Sequence, residues 1–414
     1  MDTRTVRRLA SPQGQDLLRS LPAYSEAGTL ALQAKLRAQG IDPDFVSALL
    51  TQSRLRERAK QKFGEFAEGM LFTPDGLEQA TRLEIAASHA GRFRSASLAT
   101  VHDLGCGIGS DAMAMSALGV TVHGVDADPV TAAVADTNLR PWPDSRAKTG
   151  RAEDFRPPLD AARSRVGVWV DPARRTPGVA DINGRTRRIF RLESISPSWD
   201  FVRSVADAVP ATGAKLSPSL PHDIVPNGAE AQWTSYGGEV LECTIWFGPL
   251  VRREGRSARI LAPGSKPVEL TEDMAADSVP VAAGLDALGR WLYEPDRAMT
   301  RAGLLGVLIA ETDGAEVDPG LGYVTADTSV ELPFAKRYAV LEAMPFNVKT
   351  LRSWLREHEI TRLTIKKRGI RLDDDQLRAQ LKLAKKGGEE AIVVLTRVAG
   401  SPTALVVQPA VVLT

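Results

Sequence analysis

The chain has 414 residues, 43% of them hydrophobic and 25% charged, with a formal net charge of +1. That length calls for about two to four domains of a soluble globular kind, and the near-neutral balance removes any whole-chain electrostatic case for nucleic acid. Cys106 and Cys243 form no CxxC pair and the five histidines show no ligand spacing, which argues against a disulfide framework or a Cys/His metal site.

The first segment, MDTRTVRRLASPQGQ, is basic but has no apolar core, so no secretory signal is expected. Residues 1–67 read as a helical module. Ser25 to Gln39 carries apolar residues at helical spacing, Gly40 stops it, and Asp42-Pro43 starts the next helix, with Asp as N-cap and Pro in the first turn. From about residue 70 the period changes. SLATVHDLG, VTVHGVD, VGVWVDP and GAKLSP are short apolar runs separated by helical segments, which predicts a parallel sheet covered by helices over 68–265. EVLECTIWFGP and SARILAP follow with little helix between them and read as antiparallel edge strands. Residues 266–335 hold one helix candidate, DRAMTRAGLLGVLIAET, in a segment expected to connect and to dock on the preceding domain. Its apolar run is too short to span a bilayer, and a cytoplasmic protein is expected. Residues 336–414 alternate strands (RLTIKKRG, AIVVLTRVAG, ALVVQPAVVLT) with helices (NVKTLRSWLREHEI, DDQLRAQLKLAKKG), a small α+β domain. Between 336 and 397 it carries 15 Lys and Arg against 8 Asp and Glu, a local charge of +7. The fold class expected is α/β: a doubly wound, Rossmann-like sheet with a helical module before it and the α+β domain after it.

DLGCGIGSD, residues 103–111, carries the chemistry. Glycines between a strand and a helix let a ligand approach the backbone and meet the helix's first amides. Gly105, Gly107 and Gly109 are spaced G-x-G-x-G, not the G-x-G-x-x-G of dinucleotide sites. Asp103 just ahead suits a ligand bearing an ammonium group rather than a pyrophosphate, and S-adenosylmethionine has one. Asp126, with Ala127 beside it, ends the second strand where a carboxylate accepts from ribose hydroxyls. Asp154 and Phe155, in GRAEDF, fall where an adenine amino group and ring would be met. Asp171-Pro172 sits at the tip of the fourth strand, where catalytic groups of open α/β sheets collect. Arg174 and Arg175 beside it suit a phosphate.

This ordered series resembles the class I S-adenosylmethionine-dependent methyltransferases. The resemblance covers roughly residues 70–260 and implies that cofactor, a Rossmann-like fold and methyl transfer. It places Asp103, Gly105, Cys106, Gly107, Gly109, Asp126, Ala127, Asp154 and Phe155 around the cofactor, and Asp171 and the Pro172 carbonyl at the acceptor. KFGEFAEGMLFTPDGLEQATR is similar to the pre-core segment of trimethylguanosine synthase-like RNA methyltransferases, and it adds Thr73 and Pro74 as cofactor contacts. With the basic α+β tail, the chain looks like bacterial methyltransferases that carry a THUMP-like domain. THUMP domains bind RNA, so RNA is the implied partner and substrate, with a base nitrogen favoured as acceptor. The amine-directed relatives carry Asp/Asn-Pro-Pro-aromatic at the fourth strand. Here the run is Asp171-Pro172-Ala173-Arg174-Arg175, without the aromatic; Arg174, Trp169 or Trp199 are the candidates for stacking on a base. Lys366, Lys367 and Arg368, with Lys385-Lys386 beyond the next helix, are the expected phosphate contacts. Cys106, inside the glycine loop, is expected to act mainly as a small packing residue, and His102 and His123 as structural. No metal is expected. Two other readings stay open: a non-catalytic protein that binds RNA and S-adenosylmethionine, and a small-molecule methyltransferase whose basic domain dimerises.

Overall fold

The structure is a computed structural model. It describes residues 1–158, 165–174, 192, 195–383 and 388–410. The chain divides into two compact units. The first comprises Met1–Glu230 and Thr244–Glu254, and the second Ala231–Cys243 and Gly255–Thr414.

The first unit begins with four helices, α1 (Thr3–Leu9), α2 (Pro12–Ser20), α3 (Thr29–Ala38) and α4 (Pro43–Phe63). Asp42 caps α4 by accepting from the Phe45 amide at 3.0 Å, and Pro43 occupies its first turn. Two further helices follow, α5 (Pro74–Gln79) and α6 (Leu83–Ser95). Then β1 (Thr100–Leu104), α7 (Ser110–Ala117), β2 (Thr121–Asp126), α8 (Pro129–Asn138), β3 (Arg146–Thr149) and β4 (Val166–Val170) run as an alternating series. β5 (Ala173–Arg174) and β6 (Ile195–Ser196) make a two-residue antiparallel ladder, and α9 (Trp199–Ala208) leads to β7 (Thr212–Leu216). The strands lie in the order β3-β2-β1-β4-β7, all parallel, as the apolar runs imply. Reversal of strand order at β1 and β4 opens a crevice beyond their carboxyl ends, where ligands of such sheets bind.

The helical module and the sheet's loops share one core. Leu9, Leu49 and Phe63 of the module pack in the same apolar cluster as Phe72, Val134 and Ile108 of the glycine loop. Asn138 ties the pre-core segment to that loop. Its side chain accepts from the Leu71 amide at 2.8 Å and donates to the carbonyls of Leu71 and Ile108 at 3.1 and 2.9 Å.

The second unit holds β8 (Glu230–Tyr236, from Ala231 on) and the first residues of β9 (Glu239–Trp246), then β10 (Gly255–Leu261) and β11 (Val268–Thr271), an antiparallel pair. A separate seven-stranded sheet follows, in the order β13-β14-β12-β15-β18-β17-β16. Its elements in chain order are β12 (Trp291–Pro295), α10 (Arg297–Ala302), α11 (Leu305–Thr312), β13 (Ala315–Glu316), β14 (Val324–Ala326), β15 (Ala335–Pro345), α12 (Val348–Glu357), β16 (Ile360–Lys367), α13 (Asp374–Leu381), β17 (Glu389–Val398) and β18 (Ser401–Pro409). Two expectations change here. Residues 266–335 are not a bare connection, because β12, β13 and β14 belong to the same sheet as the tail's strands. The single helix expected over 296–312 is two helices, because Gly303 takes a left-handed φ of 70° and ends α10. Leu351, Leu355, Leu377 and Leu381 seat α12 and α13 on one face of the sheet through Val393, Leu395 and Val406. Among the described residues no helix is long and apolar enough to cross a membrane.

Candidate functional site

The site is built on the glycine loop between β1 and α7. Gly105, Gly107 and Gly109 have φ of 92°, 54° and 88°, a region that L side chains rarely adopt. Their surroundings differ. A Cβ on Gly105 would lie 2.6 Å from the backbone oxygen of Asp171, so the loop and the tip of β4 are in direct contact. A Cβ on Gly107 would meet nothing within 4 Å. That face of the loop is open to a ligand. The Val125 carbonyl accepts from the amides of Gly105 and Cys106 at 2.9 and 3.0 Å, which pins the loop to the end of β2. Asp126 continues this clamp, one oxygen accepting from the Gly107 amide at 3.1 Å and the other from the Asp128 amide at 2.9 Å. Burial pushes the Asp126 carboxyl up, and those two amides oppose the shift. Ala127 is exposed beside it.

Two buried polar groups flank the loop without partners among the described residues: both carboxylate oxygens of Asp103 and the hydroxyl of Ser110, the first residue of α7. A buried polar atom left unpaired costs on the order of 1–3 kcal/mol. Burial drives the Asp103 carboxyl well above the ordinary range, with Asp111 and Asp171 adding repulsion and Lys215 opposing it. A ligand with an amino-acid end would satisfy this set, with an ammonium at Asp103 and a carboxylate at Ser110 and the first amides of α7.

Behind Asp103 runs a connected chain of side chains. His89 Nδ1 lies 2.8 Å from Asp111 Oδ1, and Thr81 donates to Asp111 Oδ2 at 2.7 Å. Lys215 Nζ reaches Thr81 Oγ1 at 3.1 Å and Asp171 Oδ2 at 2.5 Å. Burial works to raise the Asp111 carboxyl, but His89, Lys215 and Thr81 hold it below its ordinary value. Lys215, Ser110, Thr81, Asp111 and His89 were not anticipated from the sequence. A lysine inside the apolar run GAKLSP, one strand from the Asp-Pro tip, was the available signal for Lys215.

The sequence-predicted residues fall as follows. Thr73 caps α5, accepting from the Gly76 amide at 3.0 Å, and Pro74 is exposed in its first turn. Gly76 sits against Ile108 of the loop, where a Cβ would come within 2.4 Å of Ile108 Cγ2. Asp154 is exposed at the end of a single 3-10 turn, and the half-buried Phe155 ring packs 5.0 Å from that of His102. His102 is half-buried in β1 and burial lowers its basicity; His123 is exposed on β2, its ring 5.5 Å from that of His102. Cys106 is buried against Gly124, where an added Cβ would come 3.0 Å from its sulfur, and burial drives its thiol well up. Asp171 and Pro172 are half-buried at the β4 tip. Trp169 cannot stack on a base: it is fully buried in β4, between the rings of His89 at 4.5 Å and Trp246 at 5.5 Å. Trp199 packs on Phe247, centroids 6.4 Å apart. The Arg174 backbone pairs with Ile195, while Arg175, Lys385 and Lys386 lie outside the described residues.

In the second unit the expected cationic run is engaged internally. Lys366 pairs with Glu294 and lies 5.2 Å from the centroid of the Tyr338 ring. Lys367 bonds Asp374 and the Leu372 carbonyl, each at 2.6 Å. Arg368 donates to the Leu321 carbonyl at 2.9 Å and stacks on Tyr323, 4.5 Å from the ring centre. The three residues therefore hold the sheet's far strand rather than forming an unpaired basic stripe.

Comparison with known proteins agrees with this architecture. A THUMP domain-like family model matches residues 335–409, the span from β15 to β18, and a domain of unknown function (DUF8688) matches residues 2–59. Two proteins of Mycobacterium tuberculosis, from strains CDC 1551 and H37Rv, are each 33% identical over 368 residues, covering 85% of this chain and 93% of theirs. Both are named uncharacterized S-adenosylmethionine-dependent methyltransferases. The crystal structure of a proposed methyltransferase from Porphyromonas gingivalis W83 matches with a TM-score of 0.70 at 20% identity, over 94% of this chain and 100% of that one, which shows a shared fold. On these relatives, the chain belongs to the S-adenosylmethionine-dependent methyltransferases and carries a C-terminal THUMP-like domain.

Proposed function

We propose that this methyltransferase acts on RNA, with a base nitrogen as acceptor and Asp171 at the point of transfer. The observation that carries the site is the contact between Gly105 and the Asp171 backbone, which sets the β4 tip directly against the cofactor loop. In this reading Asp103 and Ser110 hold the amino-acid end of the cofactor. Asp126 takes the ribose, with Ala127 beside it. Asp154 and Phe155 meet the adenine, and Thr73 and Pro74 close the pocket from the pre-core side. Cys106, buried and held as a neutral thiol, packs the loop and does no chemistry. When bound, S-adenosylmethionine supplies a methyl group already activated by its sulfonium charge. The protein's task is then alignment. The Asp171 carboxylate and the Pro172 carbonyl accept hydrogen bonds from an acceptor N–H, turning the nitrogen lone pair toward the cofactor.

RNA is supported by the THUMP-like match over 335–409 together with the +7 local charge between 336 and 397. Since Lys366, Lys367 and Arg368 are paired internally, exposed cations of α12 such as Lys349 and Arg356 are the better candidates for phosphate contact. The test is methyl incorporation from labelled S-adenosylmethionine into total RNA, protein and metabolite fractions, followed by nucleoside analysis. Label confined to the metabolite fraction would overturn the RNA reading and leave the methyltransferase standing.

A further inference from the structure

The tip of β4 departs from the amine-directed pattern by lacking both the second proline and the aromatic, and its acid has a partner that this pattern does not explain. Lys215 stands at the carboxyl end of β7, the strand beside β4. Its ammonium is 2.5 Å from Asp171 Oδ2, with the lysine side chain 16% exposed and the carboxylate 29% exposed. The same ammonium is 3.1 Å from Thr81 Oγ1, which in turn binds Asp111. A half-buried ion pair that is also hydrogen-bonded on its far side is held in one geometry, unlike an exposed pair.

The charges around it explain why a cation is needed. Asp103 on β1 and Asp111 on α7 are buried, and Asp103 feels repulsion from both Asp111 and Asp171. Asp126 on β2 adds a weaker repulsion. His89 on α6 sits behind Asp111. On the far side, Lys62 of α4 feels both Arg82 and Lys215, and burial with these charges lowers its ammonium to about 8. Lys215 is therefore placed between an acidic group and a cationic one, with its ammonium committed to the acidic side.

We propose that Lys215 is a positioning residue for methyl transfer: it fixes the Asp171 carboxylate and keeps it ionised among neighbouring acids, so that the carboxylate can receive the acceptor's N–H. The inference rests on the reading of Asp171 as the acceptor-binding acid. Lys215 makes no bond to the reacting atoms in this scheme. Its loss acts through Asp171.

The test uses the full chain and has one arm that needs no acceptor. In that arm the Asp171 carboxyl is followed by carbon NMR against pH, its signal identified by its absence in Asp171→Asn. Removing a charge partner at this distance moves a carboxyl titration by about 1–3 pH units. Lys215→Met should move the Asp171 midpoint upward, and Lys215→Arg should return it most of the way. The second arm measures transfer to total RNA and affinity for S-adenosylhomocysteine. Lys215→Met is expected to lower kcat at least tenfold, move the acid limb of the pH profile upward, and leave S-adenosylhomocysteine affinity within about threefold. If the methionine variant does not fold, Lys215→Gln serves, and chemical shifts of the remaining core report its integrity. An unmoved Asp171 midpoint overturns the proposal, as does full transfer by Lys215→Met when Asp171→Asn has lost it. Full transfer by Asp171→Asn overturns the reading of Asp171 itself, and the two failures are thereby told apart.

Discussion

Gly105 and Gly107 provide an internal control on the site. Both have positive φ, 92° and 54°, so alanine at either position carries the backbone cost of an L residue there, about 1–2 kcal/mol. Only Gly105 adds a steric cost. Its Cβ would lie 2.6 Å from the Asp171 oxygen and 3.4 Å from the Asp171 carbonyl carbon. Those are backbone atoms, which cannot swing aside as a flexible side chain would, so the loop and the β4 tip must separate. Forced repacking of this kind costs a further ~1–3 kcal/mol. Gly105→Ala should therefore lose about 2–5 kcal/mol of stability and Gly107→Ala about 1–2. At roughly 2–4 °C per kcal/mol for a unit of 150–250 residues, the two melting temperatures should differ by several degrees. Ligand binding should discriminate in a different way. The Gly107 Cβ would enter open space on the ligand side of the loop, so Gly107→Ala should lose more S-adenosylhomocysteine affinity than its small stability loss explains. Differential scanning calorimetry and isothermal titration on the two variants measure both quantities. Equal melting temperatures would refute the contact between the loop and Asp171, and unchanged affinity in Gly107→Ala would refute the placement of the ligand.

Asp126→Ala should weaken S-adenosylmethionine binding about ten- to a hundredfold, because charge-assisted hydrogen bonds are worth roughly 1.5–3 kcal/mol; titration calorimetry reads this, and an unchanged affinity in a folded variant removes Asp126 from the pocket. Asp171→Ala should abolish transfer with little change in cofactor affinity, the pattern of a group that acts on the acceptor; equal loss of both would make it a cofactor residue instead. In the second unit, burial works to raise the Glu294 carboxyl, but Lys366 and Tyr338 hold it below its ordinary value. A lowered carboxyl contributes stability that is present above the ordinary carboxylate range and is lost as pH falls through the lowered value. Lys366→Met should therefore be destabilised near neutral pH, with the gap to wild type closing in acid; a gap that is constant between neutral and strongly acidic pH would refute the pairing. On α12, Lys349→Ala with Arg356→Ala should lower RNA affinity and flatten its salt dependence by about 0.7 in log–log slope per lost phosphate contact, whereas Lys367→Ala should leave that slope unchanged.

The parallel sheet was legible because its signals are local. Each of β1, β2, β4 and β7 is a short apolar run closed by Gly, Asp or Pro, and the Asp42-Pro43 helix start is a two-residue pattern. The glycine loop was legible for the same reason: all three glycines take a positive φ, Gly105 also meets a close neighbour and Gly107 an open face, and these needs are met by one residue type. β15 was harder. Its eleven residues mix buried, half-buried and exposed positions in no regular order, with charges interleaved, so no clean two-residue period marks it. The split of the helix at Gly303 depends on one residue adopting a left-handed turn, which a glycine permits without requiring.

The site's polar partners were illegible because they are made over long separations. Lys215 and Thr81 are 134 residues apart, and Lys366 and Glu294 are 72 apart. A sequence shows that a lysine is present and says nothing of what stands opposite once strands pair. That is why Lys366, Lys367 and Arg368 read as a phosphate-binding run and turn out to be held by Glu294, Asp374 and Tyr323. The converse holds for Lys215, which the sequence shows only as one polar residue within the apolar run GAKLSP. A lysine ammonium taken largely out of water has to find an acid or lose its charge. GAKLSP itself contains no acid, so the apolar setting was the clue that a carboxylate from elsewhere in the chain must stand beside it. The same reasoning separates the two lysine sets by experiment. A cation committed to an internal acid should change stability when removed and leave the salt dependence of RNA binding alone. A cation committed to phosphate should do the reverse.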